Sequence, residues 1–127
     1  MTVQELGTIR DNNLPVKIFL LNNGTLGMVY QWQDVIFNKN YVATILPRLP
    51  DFAKLAQAYD IPAFTVDARE DVADTVRHML ETPGPAFGDF RVDHNAMVLP
   101  FVPPGGKLDE MLGRWHGETH LRRFSGE

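Results

Sequence analysis

Apolar residues at Val3, Leu6 and Ile9, separated by polar ones, predict the end of an amphipathic helix over residues 2–11, and Asn12, Asn13 and Pro15 close it. From Val16 to Leu21 the chain is almost continuously apolar, with β-branched residues, Phe19 and a single charge at Lys17. Such a run suits a strand covered on both faces, as in a parallel sheet. After Asn22-Asn23-Gly24 the period becomes helical: Met28, Val29, Trp32, Val35 and Ile36 share one broad stripe and predict a helix over residues 26–37. Residues 38–50 hold Asn, Lys, Thr, Arg and two prolines without periodicity and read as a long loop of the kind that often carries function. A second helix follows over 51–59, with Phe52, Leu55, Ala56 and Tyr59 on one face, Pro50 before it and Asp51 at its start. Ala63 to Val66 reads as a short strand. Asp67 and Glu70 approximate a capping box. The helix they open, about 69–82, is expected to bury Val72, Val76, Met79 and Leu80 before Pro83-Gly84-Pro85 stops it. Ala86 to Val92 is a third strand, and a Pro/Gly-rich arm follows.

Helices alternating with short apolar strands are the signature of an α/β domain, here a three-layer sandwich with a mainly parallel sheet. An alternation that opens inside a helix lacks the strand that helix would pack back from. The chain is therefore expected to be a piece of a longer polypeptide, with Met1 an internal methionine. The domain is expected to span residues 1–112, including an arm over about 95–112, and residues 113–127 form a polar tail.

Composition narrows the function classes. The 127 residues carry 12 Lys and Arg against 16 Asp and Glu, a formal net charge of −4, so no basic stripe exists for nucleic acid or anionic lipid. No apolar window approaches the roughly 20 residues that span a bilayer, and residues 1–10 lack the features of a secretory signal. The absence of cysteine excludes disulfides, thiolate metal sites and a cysteine nucleophile, and fits a cytoplasmic protein.

The sites are few. Asn22-Asn23-Gly24 lies just past the carboxyl end of a buried strand, where open α/β sheets bind ligands. Asn-Gly is also a common hairpin turn, but the helical spacing after Gly24 excludes a second hairpin strand. Side-chain oxygens at such a point suit Mg²⁺, which takes one or two of them together with phosphate oxygens and water. In Gln31-Trp32-Gln33 two amides flank an indole, a face able to line a polar-rimmed pocket or simply to belong to the core. His116 and His120 stand four apart, but Gly117 weakens a helix there and a solvated tail accounts for them. His78 and His94 read as ordinary surface or helix-end residues. Neither G-x-G-x-x-G, nor a P-loop, nor G-x-S-x-G occurs. The apolar arm from Met97 to Leu112 must lie across a body of protein, either as a strap or as a lid over a site.

Gln4-Glu5-Leu6, the Val16–Gly24 strand with Asn22-Asn23, Gly27-Met28-Val29 with Gln31-Trp32-Gln33, Pro50-Asp51-Phe52 and Val102-Pro103-Pro104-Gly105-Gly106 closely resemble the carboxyl-terminal part of acetolactate synthase catalytic subunits. These are thiamine-diphosphate-dependent enzymes, and the resemblance runs from about residue 2 to about residue 112. It implies the diphosphate-binding half of the thiamine-diphosphate fold, lacking its N-terminal part. In that family the cofactor motif opens with Gly-Asp-Gly and closes with Asn-Asn, and the aspartate and second asparagine hold Mg²⁺ on the diphosphate. By position, Asn23 would be the amide ligand and Thr25 would give a main-chain carbonyl to the metal. Gly27 would let the backbone approach the cofactor, Met28 would support it between its two rings, and Trp32 would wall the substrate channel.

The departures imply as much. Gly-Asp-Gly is absent and would lie ahead of Met1, and the glutamate that promotes ylide formation comes in this family from a partner subunit. The flavin-binding central domain is absent too, so FAD would belong to the full-length enzyme and not to this segment. No catalytic residue is expected within these residues. The implied function is part of a Mg²⁺-dependent acetolactate synthase, which decarboxylates pyruvate and condenses the product with a second 2-oxo acid. Its partners would be the 2-oxo acid substrate and the rest of its own polypeptide, in a homodimer or homotetramer. The alternatives are a non-catalytic association module, or a related thiamine-diphosphate carboligase or decarboxylase. Alone, the 127 residues are expected to be unstable or prone to associate, because each uncovered core side chain forfeits about 1.5–3 kcal/mol.

Overall fold

A computed structural model of the chain describes residues 2–113. Two compact units are present: residues 2–24 with Leu46–His94, and Thr25–Ile45 with residues 95–113.

The first unit is built on three parallel strands, β1 (Lys17–Asn22), β2 (Ala63–Val66) and β3 (Ala86–Arg91), in the order β1-β3-β2. Three helices flank them: α1 (Glu5–Asp11), α3 (Phe52–Gln57) and α4 (Val72–Glu81), while α2 (Gly27–Val35) belongs to the second unit. The register Ile18↔Phe87↔Ala63 puts those side chains on one face of the sheet. There Leu6 of α1, Ala56 of α3, Ile61 and Phe87 form a buried cluster joined by Ile9, Ile18, Leu20, Phe52 and Tyr59. The opposite face carries a second cluster of Val66, Met79, Ala86 and Phe90, with Phe64 and Val76 against it. Helices α1 and α3 thus cover one face and α4 the other, which makes the three layers expected of the pattern. The central strand β3 is buried from Ala86 to Phe90, as a strand covered on both faces must be.

Lys17, the lone charge of β1, has a structural explanation. Its ammonium reaches past the sheet and donates to the Thr82 and Gly84 carbonyls, just beyond the C-terminus of α4. A cation there satisfies carbonyls that the helix leaves open.

Four expectations need correction. β1 is not covered on both faces, because α4 packs on β3 and on β2, the edge strand on the far side of β3 from β1. On that side Phe19 and Leu21 stay 42% and 69% exposed. The apolar stripe of α2 does not face a core either: Met28, Val29, Trp32 and Ile36 are exposed and Tyr30 and Gln31 are buried. Along α4 only Met79 is fully buried, Val76 is partly so, and Val72 and Leu80 are exposed, since Met79 and Val76 are the apolar residues of the helix that meet the sheet's cluster. The capping box at Asp67 does not form. A single 3₁₀ turn over Arg69–Asp71 precedes α4 instead, and neither it nor α4 has a side-chain cap. A side-chain cap is present at α3, where Asp51 accepts from the Lys54 amide at 3.0 Å. His116 and His120 lie outside the described residues.

Candidate functional site

In the first unit, β1 ends at Asn22 and the chain turns sharply. The Asn22 side-chain Oδ1 accepts from the Gly24 amide at 3.1 Å, an Asx turn, and Gly24 adopts a φ of +68° that only glycine takes without strain. The Asn22 carbonyl accepts from the Val92 amide at 3.1 Å, extending the pairing of β1 and β3 by one bond. Asn22 itself is buried, whereas Asn23 at the crest of the turn is half-buried. The hairpin is absent, as the helical spacing after Gly24 requires, and the turn stands at the carboxyl end of a parallel strand. One more polar side chain lies beside it. Asp89 of β3 is 1% exposed, and its Oδ2 accepts from Asn22 Nδ2 at 3.4 Å and pairs with the Arg91 guanidinium at 3.2 Å.

The second unit is organised around α2. Thr25 bridges Ile45 in an isolated antiparallel pair, and the Leu26 amide donates to the Thr44 carbonyl at 2.8 Å. Gly27 and Met28 form the first turn of α2, with Met28 54% exposed. The two glutamines flanking Trp32 do not line a pocket. Gln31, 2% exposed, donates to the Val98 carbonyl at 3.1 Å and accepts from the Val98 amide at 2.8 Å. Gln33 treats Val42 in the same way, at 3.1 and 3.2 Å, and also accepts from the buried Thr44 hydroxyl at 2.7 Å. A carboxamide carries a donor and an acceptor side by side, so each glutamine pairs with a peptide as a neighbouring strand would. Trp32 sits between these two ties and lines a cavity of about 530 Å³ with Ile36, Phe37, Pro103, Pro104 and Leu112 among others.

Further contacts order the loop and arm. Tyr30 stacks on Tyr41 with centroids 4.7 Å apart and donates to Asn95 at 3.1 Å. Tyr41 donates to the Asp34 carboxylate, and that bond, more than burial, pushes its phenol above the ordinary tyrosine range. Phe101 and Leu112 exchange backbone bonds of 2.9 and 2.7 Å, so the arm closes on itself.

Residues 1–90 match the family described as "Thiamine pyrophosphate enzyme, C-terminal TPP binding domain". The chain belongs to this family. Its curated relatives include "Acetolactate synthase 1, chloroplastic" of Zea mays, 43% identical over 126 residues that make up 94% of this chain and 20% of the relative. The protein of the same name in Oryza sativa subsp. japonica is 41% identical over the same shares. "Acetolactate synthase, chloroplastic" of Arabidopsis thaliana is 40% identical over 92% of this chain and 18% of its own length. The chain thus spans about a fifth of the curated relatives it matches. The resemblance read from the residues stands at the level of the thiamine pyrophosphate enzymes, and the all-parallel sheet with helices on both faces suits that domain.

Two buried polar residues of this TPP-binding domain, Asp89 and Thr44, escape a reading of the sequence alone. Asp89 carried a signal, as the one acid within the buried run of β3. Thr44 carried none. The amides of Gln31 and Gln33 were noticed, but periodicity cannot tell an amide that faces a cavity from one spent on a distant peptide. Among the described residues no helix is long and apolar enough to cross a membrane.

Proposed function

We propose that this chain is the thiamine-diphosphate-binding portion of an acetolactate synthase-type carboligase, with Asn23 and Thr25 as its ligands to Mg²⁺. The observation that carries the reading is the Asx turn at the carboxyl end of β1, which lifts Asn23 from the rim of a parallel sheet. The donor set fits the ion. Mg²⁺ prefers neutral and anionic oxygens and keeps places for phosphate and water, and a carboxamide oxygen with a backbone carbonyl two residues on offers that.

When bound, thiamine diphosphate supplies the stabilisation of carbanion character that decarboxylation of a 2-oxo acid and carboligation need. This chain's residues would hold and orient it. The Asn23 carboxamide oxygen and the Thr25 carbonyl oxygen fix the metal, and with it the diphosphate. Gly27, without a side chain, lets the start of α2 approach the cofactor, and the exposed Met28 offers a flexible apolar support. Trp32 forms a wall for the 2-oxo acid, beside a largely apolar cavity that it lines with Ile36, Phe37 and Leu112. Groups that move protons on the cofactor would come from other parts of the polypeptide or from a second subunit, in a homodimer or homotetramer. A chain without cysteine suits a reducing compartment, the cytoplasm or the chloroplast named for the plant relatives.

Calorimetric titration of thiamine diphosphate with Mg²⁺ into the longest expressible polypeptide that carries these residues tests the reading. Saturable binding that requires Mg²⁺ and is lost in Asn23→Leu is expected. Binding that persists unchanged in Asn23→Leu refutes it.

A further inference from the structure

Asp89 is the most deeply buried carboxylate among the described residues, and the proposed ligands leave it without a task. It lies on the central strand, opposite Leu20 of β1 and Thr65 of β2. Its neighbours along β3, Phe87, Gly88 and Phe90, are apolar and buried, so an apolar residue would meet the packing need with no desolvation cost. The carboxylate is also sparsely served. Oδ2 meets the Asn22 amide and the Arg91 guanidinium, and Oδ1, shut away from solvent, has no hydrogen-bond partner among the described residues. Two contacts therefore define what this buried acid does. Arg91 offsets its charge, and Asn22 receives its direction.

That direction matters because a carboxamide has two ends. Asn22 donates from Nδ2 to Asp89 and accepts at Oδ1 from the Gly24 amide. Turned over, it would set its oxygen against the carboxylate and its amino group against the Gly24 N–H. An ionised carboxylate is acceptor-only, so Asp89 admits one orientation alone, and in that orientation Oδ1 closes the Asx turn. We propose that Asp89 is a positioning residue for metal binding, which fixes the Asn22 amide and through it the turn that presents Asn23. This rests on Asn23 holding Mg²⁺ and adds the element that pre-sets it, as the outer partners of metal ligands commonly do.

The test uses the longest expressible polypeptide that carries these residues, with two readouts, the Mg²⁺ affinity measured with thiamine diphosphate and the exchange protection of the Gly24 amide, which needs no ligand. Asp89→Asn keeps the shape of the side chain but gives it two ends of its own. It is expected to weaken Mg²⁺ binding about 10-fold, the lower end for outer-shell changes, and to reduce protection at Gly24. Asn22→Asp sets two carboxylates face to face and should lose both properties as well. The exchanged pair, Asn22→Asp with Asp89→Asn, restores one donor between the two side chains and an acceptor for Gly24, and should recover both. If folded Asp89→Asn keeps wild-type affinity and Gly24 protection, or the exchanged pair is no better than Asn22→Asp, the proposal is overturned. Failure of the wild-type chain to bind Mg²⁺, with Gly24 protection still dependent on Asp89, overturns the metal role together with the reading it rests on, while the link from Asp89 to the turn stands.

Discussion

Replacing Gln31 with methionine removes both ends of the tie between α2 and the arm while keeping side-chain length and helix preference nearly constant. The two bonds lost are Gln31 Nε2 to the Val98 carbonyl at 3.1 Å and the Val98 amide to Gln31 Oε1 at 2.8 Å. A neutral hydrogen bond contributes about 0.5–1.5 kcal/mol net, so the pair is worth about 1–3 kcal/mol. Val98 is 65% exposed, which lets water replace the glutamine at its peptide and places the effect in the lower half of that range. Amide exchange at Val98 reads the tie directly. Its protection should fall by about 5- to 15-fold in Gln31→Met, the equivalent of about 1–1.6 kcal/mol. Gln31→Glu should lose more. The carboxylate still accepts from the Val98 amide but turns an oxygen toward the Val98 carbonyl, at a position only 2% exposed.

The same spectra decide between a strap and a lid. If the arm lifts as one piece, the Phe101 and Leu112 amides, bonded to each other across the arm, lose protection together with Val98. If the tie is local, the loss stops at Val98. Unchanged exchange at Val98 in Gln31→Met, with α2 intact, would refute the argument that the glutamine is spent on this peptide.

Three further outcomes follow from the first unit. A Cβ on Gly88 would lie 2.4 Å from the Phe90 ring and 2.8 Å from the Met79 sulfur, so Gly88→Ala should lower stability in urea unfolding. Overpacking of about 1–3 kcal/mol outweighs the strand preference of about 0.5–1 kcal/mol gained on losing a glycine, and an unchanged midpoint would contradict the contact. Asp51 is held below its ordinary carboxylate value of 3.8, first by the Lys54 amide and then by the Lys54 side chain. Its contribution is therefore present above about pH 4 and lost as pH falls through its folded value, so the acid limb of thermal stability should flatten in Asp51→Asn. Leu21, 69% exposed on the outer strand, should drive association, and light scattering of Leu21→Lys should show a smaller species at equal concentration with no loss of folded signal.

What the chain's pattern revealed depended on whether local or distant partners decide each residue's place. The three strands were legible because short apolar runs between breakers leave little choice: Ala63–Val66 agrees to the residue, β3 ends one residue early, and β1 is shifted by one residue at both ends. The Asn22 turn was legible because the change of period after Gly24 excluded a hairpin. Faces were a different matter. The spacing of Met28, Val29, Trp32, Val35 and Ile36 defines a stripe, but a stripe states only which residues share a side. Which side is buried was settled by the partners of Tyr30 and Gln31, some 65 residues further along the chain at Asn95 and Val98. The same holds at the turn. Asn22 looks like a local motif, yet the group that fixes its orientation comes from β3, brought alongside only by the crossover that makes the sheet parallel. An Asx turn followed by a helix places Asn23 from nearby residues alone, but under the proposed metal role, holding it to the tolerance that binding needs takes a partner that the local pattern cannot name. Asp89, proposed for that part, is the one acid in a strand where packing alone would have placed a hydrocarbon.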